Sequence, residues 1–328
     1  MIPPHPPFGH LLPQGEGNKI QLEKIKMDQP LIFDIKRYAI NDGPGIRITI
    51  FFKGCPLSCI WCHNPESISP KPQKMFTPSK CISCGECGKA CPNRACQLTA
   101  DGIVTDPQHC NLSGRCAEVC PTLATEISGE TKSISELLRT IEKERPLFDQ
   151  SGGGVTFSGG EPLLYPEYLG NILEQCGERQ IHRTIDTCGL VKTETLLKIA
   201  TQTDLFLYDL KLMDSAKHRE YTGVNNELIL QNLQILAETG TKILIRIPLI
   251  KGVNSDPDNL TATAQFVSQL SGKKKGVNLL PYHYIATHKY HKLGSRYLAD
   301  NLREPDEADL QQAIDCFAAH GLSATVGG

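Results

Sequence analysis

Charge of one sign is what this 328-residue chain most plainly lacks: 34 Lys and Arg stand against 36 Asp and Glu, a net charge of −2. Without such a field, neither nucleic acid nor an anionic membrane is indicated as a partner. No apolar run approaches the length of a membrane span. The opening, MIPPHPPFGHLLPQGEGNK, has neither the basic start nor the continuous apolar core of a secretory signal. These absences lead to the expectation of a cytoplasmic chain, in which clustered cysteines read as metal ligands rather than disulfides. Its 40% hydrophobic and 21% charged content is that of an ordinary globular protein. The length suffices for one large domain and a smaller one.

Cysteine, by contrast, is abundant: there are 14, and eleven fall from Cys55 to Cys120. The stretch GCPLSCIWCHNPE (54–66) carries Cys55, Cys59 and Cys62 as C-x3-C-x2-C. A structural zinc site closes its tetrahedron with four ligands, usually from paired C-x2-C knuckles. His63 is the neighbouring candidate for a fourth ligand, but its adjacency to Cys62 makes tetrahedral closure awkward. A cubane iron–sulfur cluster held by three thiolates instead keeps one iron open to an outside ligand, as a catalytic metal requires.

From Leu31 onward, six short apolar runs recur: RITIFFKG, GGVTFSGG, HRTIDTCG, DLFLYDLK, TKILIRIPLI and GVNLLPYH. Each reads as a strand buried on both faces. Helical patterns lie between most of them. SISELLRTIEKE opens with a capping box, Ser133 and Glu136, and aligns Ile134, Leu137, Leu138 and Ile141. PEYLGNILEQCGE stripes Leu169, Ile172, Leu173 and Cys176; EADLQQAIDCFAAHG aligns Leu310, Ala313, Cys316 and Phe317. Cys176 and Cys316 read as small core residues. The alternation predicts an α/β fold, a parallel sheet with outer helices, open or closed into a barrel. Residues 1–30 read as an extension outside the core, with IQLEKIK as a short helix. Residues 67–131, which separate the first two runs, read as an inserted domain, leaving 31–66 and 132–328 for the main one. In such folds chemistry collects at the C-terminal strand edge, and Cys55, Gly160, Asp186, Asp209 and His283 all lie at or just beyond strand ends.

The cysteine triplet, with Trp61 before its last member and placed after the first strand, is the signature of radical S-adenosylmethionine enzymes. More narrowly, DIKRYAINDGPGIRITIFFKGCPLSCIWCHNPES closely resembles the start of activating enzymes for glycyl radical enzymes, relatives of pyruvate formate-lyase activating enzyme. GGGVTFSGGEP, DTCG, DLKLMD, YTGVNNELILQNL, IRIPLIKGVN and LLPYH continue the likeness in order over residues 31–328. The resemblance implies a partial (β/α)6 TIM-like barrel and a [4Fe-4S] cluster on Cys55, Cys59 and Cys62, whose open iron binds the amino and carboxylate groups of S-adenosylmethionine. It implies that the cluster loop touches this co-substrate through Trp61, Cys62 and His63. Gly159, Gly160 and Glu161 match the segment where backbone nears the methionyl amino group; a strand-ending turn is the plainer reading of these residues. Asp209, Leu210 and Lys211 match a second lining segment. Asp186 is implied as holding a cation or a polar contact, His283 as a histidine near the adenosine, and Arg246 as a partner for a carboxylate. A hydrogen-bonded structural histidine and a surface salt bridge are the plainer readings of the last two. Asp42 to Gly45 form a turn that the family setting puts near the entry of the partner's peptide. Cys188, near the expected mouth, has no assigned role.

Within the insert, CISCGECGKACP is C-x2-C-x2-C-x3-C-P, the run of two-cluster bacterial ferredoxins, in which the fourth cysteine ligates the other cluster. A second copy, CNLSGRCAEVCP, keeps Cys110, Cys116 and Cys120 in register but has Ser113 in one cysteine slot. Crossing the ligands gives one full set, Cys81, Cys84, Cys87 and Cys120, and one short set, Cys91, Cys110 and Cys116. Four outcomes are open at the short set: ligation by the Ser113 oxygen, recruitment of Cys96, a three-iron cluster, or an empty site. The preferred reading is an altered or labile cluster. Ferredoxin-type clusters reach about −400 mV, the range needed to feed a difficult one-electron step, so the insert reads as a wire; partner docking is the alternative.

The leading expectation is an activating enzyme that acts as a monomer. It takes an electron from flavodoxin or ferredoxin, cleaves S-adenosylmethionine, and abstracts hydrogen from a backbone glycine of a partner glycyl radical enzyme. A radical enzyme acting on a small molecule or side chain, and a ferredoxin-type electron carrier, are the competing readings.

Overall fold

The computed structural model describes residues 29–99, 102–273, 275–299 and 301–327. The expected extension lies outside the described residues except for Gln29 and Pro30, and so does its IQLEKIK helix. Nine strands form the main sheet: β1 (Leu31–Ala39), β2 (Arg47–Phe52), β7 (Glu130–Thr131), β8 (Gly154–Gly159), β9 (His182–Thr187), β10 (Leu205–Asp209), β11 (Ile243–Leu249), β12 (Gly276–Pro281) and β13 (Ala324–Val326). Their spatial order is β13-β12-β11-β10-β9-β8-β2-β1-β7. All six apolar runs became strands, and they pair in parallel in chain order from β2 through β12. The short β13 extends the parallel set, whereas β1 runs antiparallel to β2 and β7 antiparallel to β1. Neither β1 nor β13 was expected. β1 alternates weakly and is largely exposed after Phe33, and β13 has three residues.

The sheet curls into a partial barrel. On a flat sheet, β2 and β11 would stand four strand spacings apart, about 19 Å. Yet the Arg246 guanidinium on β11 lies 3.9 Å from the carboxylate of Asp42, just before β2. Alternate residues of the parallel strands therefore point into a lumen, and the others pack against helices. On the outer face, the helix Pro166–Glu178 buries Leu169, Ile172, Leu173 and Cys176 completely. The helix Ile134–Glu142 begins at the expected capping box, with both reciprocal hydrogen bonds formed. Of the C-terminal stripe on Glu307–Ala319, Ala313 and Phe317 are fully buried, while Leu310 and Cys316 are half-covered.

At the N-terminal edge, Arg47 seals the lumen. It is 1% exposed and its guanidinium donates to Thr156 Oγ1, Thr184 Oγ1 and the carbonyls of Pro44, Val155 and His182. Burial pulls its pKa down to about 10, against the opposing pull of Asp42 and Asp204.

Two small antiparallel ladders lie between β2 and β7: β3 (Gln73–Phe76) with β6 (Thr125–Ser128), and β4 (Cys96–Thr99) with β5 (Gly102–Thr105). Two short helices, Glu86–Ala90 and Arg115–Glu118, accompany them. The expected insert of 67–131 contains both ladders, but its last two residues are β7, the edge of the main sheet. Among the described residues, no helix is long and apolar enough to cross a membrane.

Arg47→Met keeps most of the volume but removes the buried donor to two threonine hydroxyls and several carbonyls. It is expected to destabilise the metal-free chain by about 3 kcal/mol, read as a lower urea midpoint.

Candidate active site

The cysteine loop leaves β2 at its C-terminal end and is strapped down on all sides. Gly54 N donates to Ser67 O (2.7 Å) and Cys55 N to Ile68 O (3.1 Å), closing the loop's base. Ser58 N and Ile60 N donate to the carbonyls of Thr222 and Tyr221 (2.8 and 3.1 Å) at the end of the helix Ser215–Thr222. Gly223, with φ +83, follows that helix; a Cβ there would lie 2.5 Å from Ser58 Oγ. From the other side, Tyr290 Oη donates to Cys62 O (3.1 Å), and Lys289 Nζ reaches Asn64 Oδ1 (2.7 Å) and Glu66 Oε1 (2.8 Å).

Cys55, Cys59 and Cys62 are half-buried on this loop. Burial, then the neighbouring Cys59 thiolate, pushes Cys55 well up and Cys62 up to about 12. Cys59 is also raised by burial, but Lys211 opposes the shift. Lys211 is held by Asp209 Oδ2 at 2.8 Å. Burial alone would lower its pKa, but Asp209 and Cys59 raise it above the ordinary lysine value. Its main-chain carbonyl accepts from Asn254 Nδ2 (2.8 Å), which also bonds Pro248 O.

Beneath the loop, Arg246 stands 3.3 Å from Asp186 Oδ2, which also accepts from Ser158 Oγ at 2.7 Å. Asp186 Oδ1 and Arg246 Nε and Nη1 are buried without a hydrogen-bond partner. Burial lifts Asp186 to about 6, although Arg246 pulls it down. His63 and His283 are exposed at the rim, with the His63 ring 6.2 Å from that of Tyr282 and His283 3.7 Å from Glu304.

Several expected lining residues face elsewhere. Trp61 is 5% exposed and belongs to a second core with Leu212, Ile250, Tyr282 and Tyr290. Leu210 is buried in the main core. Glu161 is fully buried, and its carboxylate accepts from Leu163 N, Thr187 Oγ1 and Cys188 N at 2.9–3.1 Å. Its side chain is thus a tie between β8 and β9. The bond from Cys188 N places that unassigned and buried cysteine beside this carboxylate. Gly159 and Gly160 approach protein backbone: a Cβ on Gly160 would stand 2.1 Å from Gly54 O, and one on Gly159, at φ +107, 2.5 Å from Phe52 N. The Asp42–Gly45 turn immediately precedes β2. It bonds Thr49 and Thr156, and of its residues Asp42 reaches toward Arg246.

Sequence reasoning did not single out Gly223, Asn254, Lys289 or Tyr290. Gly223 and Asn254 fall inside quoted motifs, YTG and KGVN, so a signal existed. Lys289 and Tyr290 lie in a segment with no pattern of its own.

A family model described as the radical SAM superfamily matches residues 49–263. The chain is 44% identical over 302 residues to the trans-4-hydroxy-L-proline dehydratase activating enzyme of Clostridioides difficile, spanning 91% of this chain and 99% of that one. It is 42% identical over 301 residues to the choline trimethylamine-lyase activating enzyme of Oleidesulfovibrio alaskensis, spanning 90% and 97%. Among solved structures, a domain of pyruvate-formate lyase-activating enzyme from Bacteroides vulgatus shares 44% identity, with a TM-score of 0.47 over 54% of this chain and 100% of that one.

Gly160→Ala is expected to cost about 1–3 kcal/mol by forcing Gly54 aside and to lower the iron held by the loop. Melting of the metal-free chain and iron content after anaerobic reconstitution read the two effects. Asp186 is expected to titrate near pH 6 by carboxyl NMR, and higher in Arg246→Met, which removes its stabilising cation. Because the folded value lies above that of an unfolded aspartate, ionisation opposes folding: stability attributable to Asp186 falls as pH rises from about 4 through about 6.

Proposed function

Because the chain belongs to the radical SAM superfamily and, within it, to the activating enzymes of glycyl radical enzymes, we propose that it installs the glycyl radical of a partner enzyme at the C-terminal mouth of its partial barrel. What a bound cluster supplies is one electron to the sulfonium of S-adenosylmethionine, releasing methionine and a 5′-deoxyadenosyl radical that takes a hydrogen atom from a backbone glycine of the partner.

Cys55, Cys59 and Cys62 would hold that [4Fe-4S] cluster. Their chemistry fits: as free thiols they oppose one another's ionisation, whereas a cationic iron group takes them as thiolates outright. Three ligands on one loop leave a coordination position for the amino and carboxylate groups of the co-substrate. The observation that carries the reading is the pairing of this loop with a lumen whose buried Arg246 and Asp186 keep unpartnered atoms. Buried polar groups are seldom left so, and a zwitterionic nucleoside has complementary groups to offer. Lys211 would lend positive charge beside Cys59, and Arg246 would meet a carboxylate or ribose oxygen. His63 and His283 would flank the adenosine at the rim. Trp61, Leu210 and the Glu161 side chain support these groups from behind.

We read the insert as a ferredoxin-like domain that passes electrons from flavodoxin or ferredoxin toward the loop. In support, Cys81, Cys84, Cys87 and Cys120, the full crossed set, line one cavity walled by Phe76, Ile103 and Val119.

The test is anaerobic protein reduced with dithionite in the presence of S-adenosylmethionine. Wild type is expected to release 5′-deoxyadenosine and, given its partner, to generate a glycyl radical doublet in electron paramagnetic resonance. Cys59→Ala is expected to give neither above background while retaining the insert's iron. Zinc on the loop, or undiminished cleavage by Cys59→Ala, would overturn the proposal.

A further inference from the structure

The insert is an internal duplication at a spacing of twenty-nine residues. Cys81, Cys87 and Cys91 correspond to Cys110, Cys116 and Cys120. The backbone repeats with them: Ser83 and Leu112 both have φ 55, Arg94 and Leu123 both φ 53, and Gly85 and Gly114 have φ 75 and 79. Each repeat ends with a main-chain N–H on a cysteine sulfur, Ala95 to Cys91 and Ala124 to Cys120, both at 3.2 Å. The ladders repeat too, Phe76 opposite Thr125 in one and Thr105 opposite Cys96 in the other.

This symmetry transfers the first cavity onto the second site. The first is lined by Cys81, Cys84, Cys87 and Cys120, with Thr125 and Ile103 among its walls. Their counterparts are Cys110, Ser113, Cys116 and Cys91, with Cys96 and Lys74. The second site has therefore lost a cysteine at position 113 and carries one at position 96, in a place that faces the cluster cavity in the intact half. The contacts agree. Cys96 is 6% exposed and shares a small buried cluster with Cys116, against which Cys91 also packs. Lys74 Nζ donates to Cys96 Sγ (3.2 Å) and Thr105 Oγ1 (2.6 Å), so an ammonium stands ready beside that sulfur. Ser113 is exposed, with its N–H turned to Asn111 Oδ1.

We propose that Cys96 replaces the cysteine missing at position 113, so that Cys91, Cys96, Cys110 and Cys116 hold a complete second iron–sulfur cluster in the insert. The inference rests on reading the insert as a two-cluster domain. It makes Lys74 a hydrogen-bond donor to a ligating sulfur, where the first half has the apolar Ile103.

The experiment is iron and sulfide quantitation, with electron paramagnetic resonance, on the anaerobically prepared full-length protein. Signals that shift when S-adenosylmethionine is added report the Cys55 loop, and the remainder report the insert. Wild type is expected to hold about twelve irons, three cubanes. Cys96→Ala is expected to fall to about eight, or to about eleven with a three-iron signal in the oxidised state. The first insert cluster persists as the control for folding. Ser113→Ala is expected to match wild type. Should Cys96→Ala not fold, Cys96→Ser keeps a small oxygen ligand and is expected to alter the second insert signal without abolishing it. An unchanged count and spectrum in the folded Cys96 variant, or loss of the second cluster in Ser113→Ala, overturns the assignment. A wild type with about eight irons removes the two-cluster reading and this inference together.

Discussion

Two strand ends meet at Gly54 and Gly160 with no room for a side chain between them. Gly160 N donates to Phe52 O and Glu161 N to Gly54 O, at 2.7 and 2.8 Å, so the parallel ladder of β2 and β8 continues past the strands into the turn that begins the cysteine loop. The position of the cysteine loop depends on this seat. The loop is too short and too poor in regular structure to hold three sulfurs in place by itself. Conformational entropy opposes any one geometry by about 1–2 kcal/mol for each residue ordered. The seat, the Glu161 tie to β9, and the straps from Tyr221, Thr222, Lys289 and Tyr290 supply the opposing constraint.

The second organising feature is a lumen that is charged rather than filled with branched aliphatics. Asp42, Asp186, Asp209, Lys211 and Arg246 share it, and the incomplete barrel leaves one side open. A buried guanidinium and carboxylate that do not saturate each other are costly in an isolated fold. They make sense where a polar ligand completes them.

The insert follows a different logic. Its core is small, built around Cys87, Cys96, Ile103 and Cys116, and below a certain size apolar burial alone rarely stabilises a domain. Metal ligation contributes folding free energy in such units. Under the proposed iron–sulfur reading of the insert, the same cysteines would serve both stability and electron transfer.

The sequence by itself determined the elements whose signal is local. The six buried strands, the capping box at Ser133 and the cysteine triplet were all legible, because apolar periodicity, cap chemistry and ligand spacing are properties of neighbouring residues. Tertiary structure alone decided which motif residues face the lumen and which pack into cores. Trp61 and Leu210 sit in motifs yet pack into cores, and Gly160 makes way for Gly54. Lys289 and Tyr290 hold the loop from more than two hundred residues away. The strands β1 and β13 escaped notice for the same reason: pairing with a neighbour, rather than any pattern of their own, makes them strands. Contacts between distant segments depend on how the sheet curls, and the curl is a sum over strands that no single stretch of residues encodes.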